Sequence, residues 1–312
     1  MPRIAIWGAG GIGGFFGGRL AASGCEVGFI ARGAHLEAIQ RDGLRVESVY
    51  GDFTVTPSIA TDDPAEIGPV DVVILGVKTW HLPEVMAGLG PLLGSDTAVV
   101  TTQNGVEAPG EVAAEVGESR VLPGIAKVFT EVAGPGVIRH AGGPGSLAFA
   151  EWDGSTSARV KDLRATLAHA GVALEEPEDI WLALWIKFLF VVPLGGVGAV
   201  AQAPVGVVRS MPSTRALLTA GMREVRDIGR ARGIGFPDEI VESTLGFVDQ
   251  QPPAGVSSLQ RDIAAGRPSE LEAWSGAVHR LGQEAGVETP VNTFAYSVLL
   301  PREQRARGQL DF

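Results

Sequence analysis

Short apolar runs alternate with helix-length segments along the first half of the chain. The apolar runs predict strands at residues 3–7, 26–31, 71–77 and 97–102. The segments between them predict helices near 12–23, 34–43 and 81–93. Because the apolar runs are nearly continuous, we expect a parallel sheet covered by helices on both faces.

From residue 121 to 152 the pattern becomes richer in strands and in Gly/Pro turns, which predicts an antiparallel extension of the same sheet. A helix over 155–170 and a short strand over 172–174 follow. After Pro177 the pattern is helical, with helices predicted at 178–192, 205–232, 237–250, 257–265 and 268–286 and one of the breaks at 193–198. We therefore expect an α/β domain over 1–174, a helical domain over 175–312, and a ligand cleft between them.

The first strand runs directly into Gly8-Ala9-Gly10-Gly11-Ile12-Gly13, just ahead of a predicted helix. In such a turn the first glycine allows the bend, the second lets a pyrophosphate approach the backbone, and the third lets the helix pack on the strand. The amino terminus of the helix then faces the phosphates. We predict an N-terminal Rossmann domain that binds a dinucleotide through residues 8–13; the alternative is a glycine-rich turn without a ligand.

Arg32 stands at the end of the second predicted strand, about 20 residues beyond the glycines, where enzymes that use NAD place an acidic residue on the ribose. A guanidinium suits a 2′-phosphate instead, because it donates two parallel hydrogen bonds to an anion. We therefore expect NADP(H) as the cofactor. The alternative is that Arg32 is an ordinary surface residue.

Composition narrows the class of protein. The chain has 312 residues, 45% of them hydrophobic and 20% charged, and a net charge of −11. That charge argues against a nucleic-acid partner, since phosphate binding depends on Lys and Arg. Cys25 is the single cysteine and the five histidines show no ligand spacing, so neither a disulfide framework nor a metal site is expected. No signal peptide is recognised ahead of the first strand, and a cytoplasmic location is expected.

Residues 180–200 are apolar except for Lys187 and are long enough to span a bilayer. A charge near the middle of such a span costs about 2.5–3.5 kcal/mol, and Pro193 and three glycines interrupt its second half. We therefore expect a buried helix of the second domain and no membrane partner.

Two polar residues, Lys78 and Asn104, directly follow the third and fourth predicted strands of the first domain. Ligands bind at the carboxyl ends of strands in an open parallel sheet, so both side chains are candidates to meet a nicotinamide and its ribose. The alternative for each is a solvated loop residue, and Asn-Gly is also a common turn.

Candidate residues in the second domain have plainer alternatives. Lys187 in its apolar helix either reaches for water with its ammonium or serves a cleft, where partial desolvation makes it a better acid. Ser257-Ser258 at a helix start is typical of an N-cap. Glu270, near the start of the next predicted helix, suits the helix dipole.

Taken together, these motifs resemble the ketopantoate reductase family (2-dehydropantoate 2-reductases) over almost the whole chain. The resembling segments are Gly8–Gly13, Ala31-Arg32-Gly33, Val77-Lys78, Gln103-Asn104-Gly105, Trp185-Ile186-Lys187, Ser257-Ser258 and residues 261–270. The resemblance implies a Rossmann domain followed by an all-helical domain. It also implies reduction of a 2-oxo acid to a 2-hydroxy acid by NADPH, with ketopantoate to pantoate as the named candidate.

The resemblance also implies roles for individual residues. Lys187 matches the general acid of the family, and Asn104 matches an asparagine that contacts cofactor and substrate. Lys78 matches a lysine near the cofactor. Ser258 matches a substrate-binding serine, and Glu270 matches the acidic residue beside the nicotinamide.

Three positions depart from the family pattern. Val191 and Gly195 stand where pantoate-forming relatives carry asparagines that hydrogen-bond the substrate, and Arg261 replaces the usual glutamine before Asp262. Arg261 is a candidate to hold the substrate carboxylate together with Ser258. The loss of two amides makes the expected pocket more apolar and predicts weaker binding of ketopantoate.

The departures leave other functions open. One is a reductase of a different, more apolar oxo acid or opine-type substrate, and another is a non-catalytic NADP-binding sensor. The physiological direction and the oligomeric state, with a homodimer among the alternatives, also stay open.

Overall fold

The structure, a computed structural model, describes residues 1–311, which form two compact units. The first unit consists of Met1–Gln103 and Ala108–Ile180. The second consists of Asn104–Glu107 together with Trp181 to the end of the described chain. The short segment 104–107 therefore belongs to the second unit, although its neighbours on both sides in the sequence belong to the first.

The strands of the first unit form two sheets. They are β1 Ile4–Trp7, β2 Val27–Ile30, β3 Leu44–Ser48, β4 Phe53–Val55, β5 Ile59–Thr61, β6 Val70–Leu75, β7 Leu93–Thr101, β8 Val121–Leu122, β9 Gly124–Gly134, β10 Val137–Phe149 and β11 Ala173–Leu174. Six strands make a parallel sheet in the order β5-β2-β1-β6-β7-β8. Trp7 pairs with Ile30 and Leu75 at the end of the central strands, so the loops that follow them leave the sheet at one edge.

The expected antiparallel extension of this sheet is wrong, because the hairpin β9–β10 belongs to a second sheet. One edge of β10 pairs with β9, and its other edge pairs in parallel with β3 and β11. The predictions at 26–31, 71–77 and 97–102 match strands to within a few residues, whereas β3, β4 and β5 were not predicted. Each of these three strands has five residues or fewer and is too short to stand out as an apolar run.

Six helices accompany these strands: α1 Gly11–Ala22, α2 Gly33–Asp42, α3 Pro64–Ile67, α4 Leu82–Gly88, α5 Ala108–Val116 and α6 Ala158–His169. Helix α1 packs between the two sheets. A Cβ on its Gly17 would lie 2.6 Å from Ile6 of the first sheet, and one on its Gly14 would lie 2.6 Å from Ile138 of the second. Larger side chains at these positions would force the layers apart.

The second unit is helical, as predicted. Its helices are α7 Ile180–Ala201, α8 Val205–Ser210, α9 Pro212–Ala231, α10 Ile240–Gln250, α11 Ser258–Ala264, α12 Ala277–Ala285 and α13 Pro290–Ala306. A π-helical turn, Glu272–Gly276, leads directly into α12, so the expected single helix over 268–286 begins later than predicted. Helix α13 was not predicted.

Helix α7 is the core of the second unit. The predicted break at 193–198 is wrong, because the helix continues through Pro193 and three glycines to Ala201. It is long and apolar enough to cross a membrane, but 56% of its most apolar stretch is buried inside the structure. Its buried side chains, among them Trp185 and Phe188, join the hydrophobic core formed with the other helices of the unit. We therefore interpret α7 as a core helix.

Candidate active site

The glycine-rich loop between β1 and α1 has the geometry of a phosphate cradle. Gly8 has φ +93°, a conformation that favours glycine, and a Cβ on Gly13 would lie 2.0 Å from the carbonyl oxygen of Gly8. Gly10, the N-cap of α1, faces open space, because a Cβ placed there would meet no atom within 4 Å. An anion can therefore approach the backbone at the start of α1, so residues 8–13 fit the pyrophosphate of a dinucleotide.

Gln103, just after β7, links the ends of the neighbouring strands β6 and β7 by hydrogen bonds. Its buried Nε2 donates to the carbonyl oxygens of Leu75 at 2.8 Å and Val77 at 3.0 Å, and its Oε1 accepts from the backbone N–H of Thr102. Two carbonyl groups at the end of β6 are thereby satisfied inside the protein. The sequence motif gave Gln103 no role. In the structure, its side chain holds the segment that leads to Lys78.

Lys78 lies just beyond the carboxyl end of β6, as predicted. Its ammonium lies 5.9 Å from the centre of the Trp80 ring, a geometry that allows a cation–π contact. Both side chains are partly exposed. This contact orients the lysine without removing it from solvent.

Arg32 has a carboxylate partner that the sequence did not indicate. Its Nη1 donates to Oε2 of Glu84 in α4 at 2.9 Å, and about half of each side chain is exposed. The hydrogen bond from Arg32 lowers the pKa of Glu84, and the same bond raises the pKa of the guanidinium. Glu84 thus remains ionised at neutral pH and shares the group that we expect to meet a 2′-phosphate.

Within the second unit, segment 104–107 lies against the π-helical turn. Nδ2 of Asn104 donates to Oε2 of Glu270 at 3.4 Å. A Cβ on Gly105, whose φ is +115°, would lie 3.2 Å from the carbonyl oxygen of Ala273. At the end of the segment, Arg280 forms an ion pair with Glu107 at 2.9 Å. The structure therefore brings together two predicted site residues, Asn104 and Glu270, that lie far apart in the sequence.

The unpredicted helix α13 holds the residue before Glu270. Glu303, 4% exposed, accepts the backbone N–H of Ser269 at 3.0 Å with each of its carboxylate oxygens. Arg307 completes this arrangement, since its Nε donates to Glu303 at 2.6 Å and its Nη2 to the carbonyl oxygen of Ser269 at 3.0 Å. The backbone at Glu270, itself 4% exposed, is thereby fixed.

Replacing Glu303 by alanine is therefore expected to lower the free energy of unfolding by about 2–4 kcal/mol, because it leaves the buried N–H of Ser269 without its acceptor and removes the carboxylate that pairs with Arg307. Urea unfolding measures the change. Glu284→Ala is the matched control, since Glu284 pairs with Arg232 at the surface, where an ion pair contributes about 0–1 kcal/mol. Equal losses for the two variants would contradict this role of Glu303.

Lys187 lies on α7 and is partly exposed, on a helix that is otherwise apolar. Val191 and Gly195 follow it at intervals of four residues, which keeps all three near one face of the helix. Val191 packs against the hydrophobic core of the unit. The face that begins at Lys187 is thus apolar over its next two turns.

The two candidates of α11 lie at its first turns. Ser257 is the N-cap, with its side chain accepting from the N–H of Gln260, so Ser258 does not have that capping role. Arg261 is exposed and its Nη1 donates to the carbonyl oxygen of Val256 at 3.1 Å. In residues 1–311 no group of three or more His, Cys, Asp or Glu side chains could hold a metal ion.

Comparisons with known proteins identify relatives over both units. A family model described as "Ketopantoate reductase PanE/ApbA" matches residues 4–154, and its C-terminal counterpart matches residues 179–303. The protein named 2-dehydropantoate 2-reductase from Mesorhizobium japonicum is 31% identical over 309 residues, covering 92% of this chain and 94% of the relative. One of the same name from a Nostoc species is 29% identical and covers 99% of this chain and 98% of the relative.

A solved structure agrees with these relatives. The crystal structure of a PanE/ApbA family ketopantoate reductase from Ralstonia eutropha has a TM-score of 0.89 and 30% identity, and covers 98% of this chain and 99% of that one. The expected fold, an α/β domain followed by a mostly helical one, is confirmed by this similarity. Since the two family models together span most of the sequence, the chain belongs to the ketopantoate reductase family.

Proposed function

We propose that this protein is an NADPH-dependent reductase that converts a 2-oxo acid to a 2-hydroxy acid, with 2-dehydropantoate (ketopantoate) as substrate and pantoate as product. The observation that carries the proposal is the pairing of Asn104 with the buried Glu270 in a chain that keeps Lys187 at the family's position for the acid. The curated relatives that span this chain are named for the same reaction.

Membership of the family implies a nicotinamide cofactor. We propose that this protein prefers NADPH to NADH. Residues 8–13 would bind the pyrophosphate through backbone N–H groups at the start of α1. Arg32 would bind the 2′-phosphate, in competition with its present partner Glu84. Lys78 would lie near the cofactor, held by its contact with Trp80.

The mechanism assigns each second-unit residue one task. When bound, NADPH supplies a hydride to C2 of the oxo acid. Lys187 donates a proton to the carbonyl oxygen, where negative charge develops. Asn104 polarises the same carbonyl, and its hydrogen bond to Glu270 fixes the orientation of its amide. Ser258 and Arg261 would hold the substrate carboxylate.

The alternatives of an opine-type or other more apolar substrate and of a non-catalytic sensor are not favoured. A protein that only sensed NADP would have no need of an acid, yet Lys187, Asn104 and Glu270 are all present. Together with the burial of α7, the single cysteine and the small acid substrate fit a cytoplasmic enzyme, which we propose as its location.

The direct test is steady-state oxidation of NADPH, followed by loss of nicotinamide absorbance, across a panel of 2-oxo acids that includes ketopantoate. We expect ketopantoate to be reduced, with kcat/KM in or above the range of about 10⁴ M⁻¹s⁻¹ that is ordinary for enzymes. No turnover with any member of the panel, for protein that binds NADPH, would refute the reductase proposal and favour a sensor.

A further inference from the structure

Gly195 of α7 is in close contact with an aromatic ring of the π-helical turn. A Cβ at position 195 would lie 2.7 Å from Cζ3 and 3.0 Å from Cε3 of Trp274, and 3.4 Å from Cδ2 of Leu259. Real Cβ atoms essentially never lie as close as 2.7 Å to another atom, and the indole is only 2% exposed, so it is enclosed by the core of the unit. The ring therefore occupies the space that any side chain at position 195 would need.

The π-helical turn brings the ring to this place. Turns of this kind insert an extra residue into a helix and occur frequently at functional sites. Here the turn begins two residues after Glu270 and places Trp274 against Gly195 and Ser275 against Gly196. Trp274, which fills the space beside Gly195, and the candidate site residue Glu270 therefore belong to one short segment of the chain.

The edge of Trp274 that faces α7 is apolar. Cζ3 and Cε3 belong to the six-membered ring, and the indole nitrogen lies on the opposite edge of the ring system. That nitrogen and Oγ of Ser275 are buried with no hydrogen-bond partner in the described protein. On the face of α7 that begins at Lys187, the next two groups are therefore apolar. Val191 lies about one turn (about 6 Å) along the helix, and the ring of Trp274, packed against Gly195, lies about two turns (about 12 Å) along it.

We propose that Trp274 is a specificity-determining residue that, together with Val191, forms an apolar wall. This wall makes the enzyme recognise the branched hydrocarbon body of its substrate and form no hydrogen bond with the substrate's terminal hydroxyl. The proposal rests on the proposed function. Ketopantoate carries two methyl groups on the carbon next to its carbonyl and a hydroxyl one carbon further. The substrate class is thus branched 2-oxo acids with or without that hydroxyl.

The test compares ketopantoate with 3,3-dimethyl-2-oxobutanoate, which differs only in lacking the hydroxyl. A site that hydrogen-bonds a hydroxyl rejects the analogue without it by about 10⁴–10⁵-fold, whereas an apolar pocket discriminates by about 10–200-fold. We expect the ratio of kcat/KM values in the unmodified enzyme to be below about 10². A ratio of 10⁴ or more would overturn the inference and leave the proposed function standing, while reduction of neither acid would refute both.

Variants then assign the effect to Trp274. Trp274→Phe keeps an aromatic ring and removes the N–H, and we expect the ratio to be unchanged. The double variant Gly195→Asn with Trp274→Ala gives an amide room, and we expect it to raise the preference for ketopantoate by about 2- to 12-fold, the size of one hydrogen bond. If Trp274→Phe lost the reduction of ketopantoate but kept that of 3,3-dimethyl-2-oxobutanoate, the indole N–H would be shown to hydrogen-bond the hydroxyl, and the inference would be overturned.

A thermal measurement checks the contact itself without relying on activity. Gly195→Ala should lower Tm, because its Cβ meets the ring. Gly246→Ala, in the middle of α10 with no atom within 4 Å of the new Cβ, should raise Tm as glycine replacement in a helix ordinarily does. An equal rise for both variants would overturn the placement of Trp274.

Discussion

Replacing Lys187 by methionine is expected to lower turnover by about 10²–10⁴-fold, the usual contribution of a general acid, while NADPH binds nearly as it does to the unmodified protein. Methionine keeps an apolar stem of similar length and removes the ammonium. The structure places this ammonium on a partly exposed face of an otherwise apolar helix. Steady-state kinetics and NADPH titration of the same preparation measure the two effects.

Lys187→Arg separates proton donation from charge. Arginine keeps the positive charge, but its pKa is too high for it to donate a proton at neutral pH. If Lys187 is the acid, the arginine variant should lose most of the turnover that the methionine variant loses. Turnover near that of the unmodified enzyme in the methionine variant would show that Lys187 merely reaches for water, and would remove it from the mechanism.

Arg32→Asp is expected to weaken NADPH binding by about 10- to 150-fold and to affect NADH far less, because one charged bidentate contact contributes about 1.5–3 kcal/mol. An aspartate at the end of β2 would repel a 2′-phosphate and could accept from a ribose hydroxyl. Dissociation constants for both cofactors, measured at one salt concentration, give the result. An equal loss for NADPH and NADH would contradict the assignment.

Glu84→Gln is the companion variant for this test. Glu84 holds the guanidinium of Arg32, and a phosphate must displace or share that contact. Because Arg32 lowers the pKa of Glu84, the carboxylate is ionised at neutral pH and opposes the phosphate. We expect Glu84→Gln to tighten NADPH binding by a few-fold and to leave NADH nearly unchanged. Weaker NADPH binding in this variant would show that Glu84 orients Arg32 for the phosphate.

Local pattern predicted the parts of the fold that depend on neighbouring residues. The apolar runs located the central strands, and the glycine loop after β1 located the start of α1, since both signals lie within a few positions. Helix α13 escaped prediction because its apolar residues do not gather on one side and Pro301 lies inside it. The end of α7 was wrong because packing in the core outweighs the weak helix propensity of its proline and glycines.

The contacts that define the candidate site could not be predicted from the local sequence pattern. Glu84 meets Arg32, and Trp274 meets Gly195, only because elements distant in the sequence pack together. The strand pattern indicated Asn104, the resemblance to the family added a role for Glu270, and the hydrogen bond between the two residues comes from the structure. The resemblance to the family implied that two amides are missing from α7, whereas the ring that lies against one of those positions is set by packing between distant segments.

Helix α1 has a consequence for how the protein is made. Five of its 12 residues are glycine, so it has little tendency to form a helix alone and depends on the sheets that enclose it. One of those sheets contains β10, which leaves the ribosome more than a hundred residues after α1. We therefore expect α1 to remain unfolded on the nascent chain until the hairpin β9–β10 has been synthesised. A nascent chain stalled before residue 137 should leave α1 open to proteolysis, and one released after residue 180 should protect it.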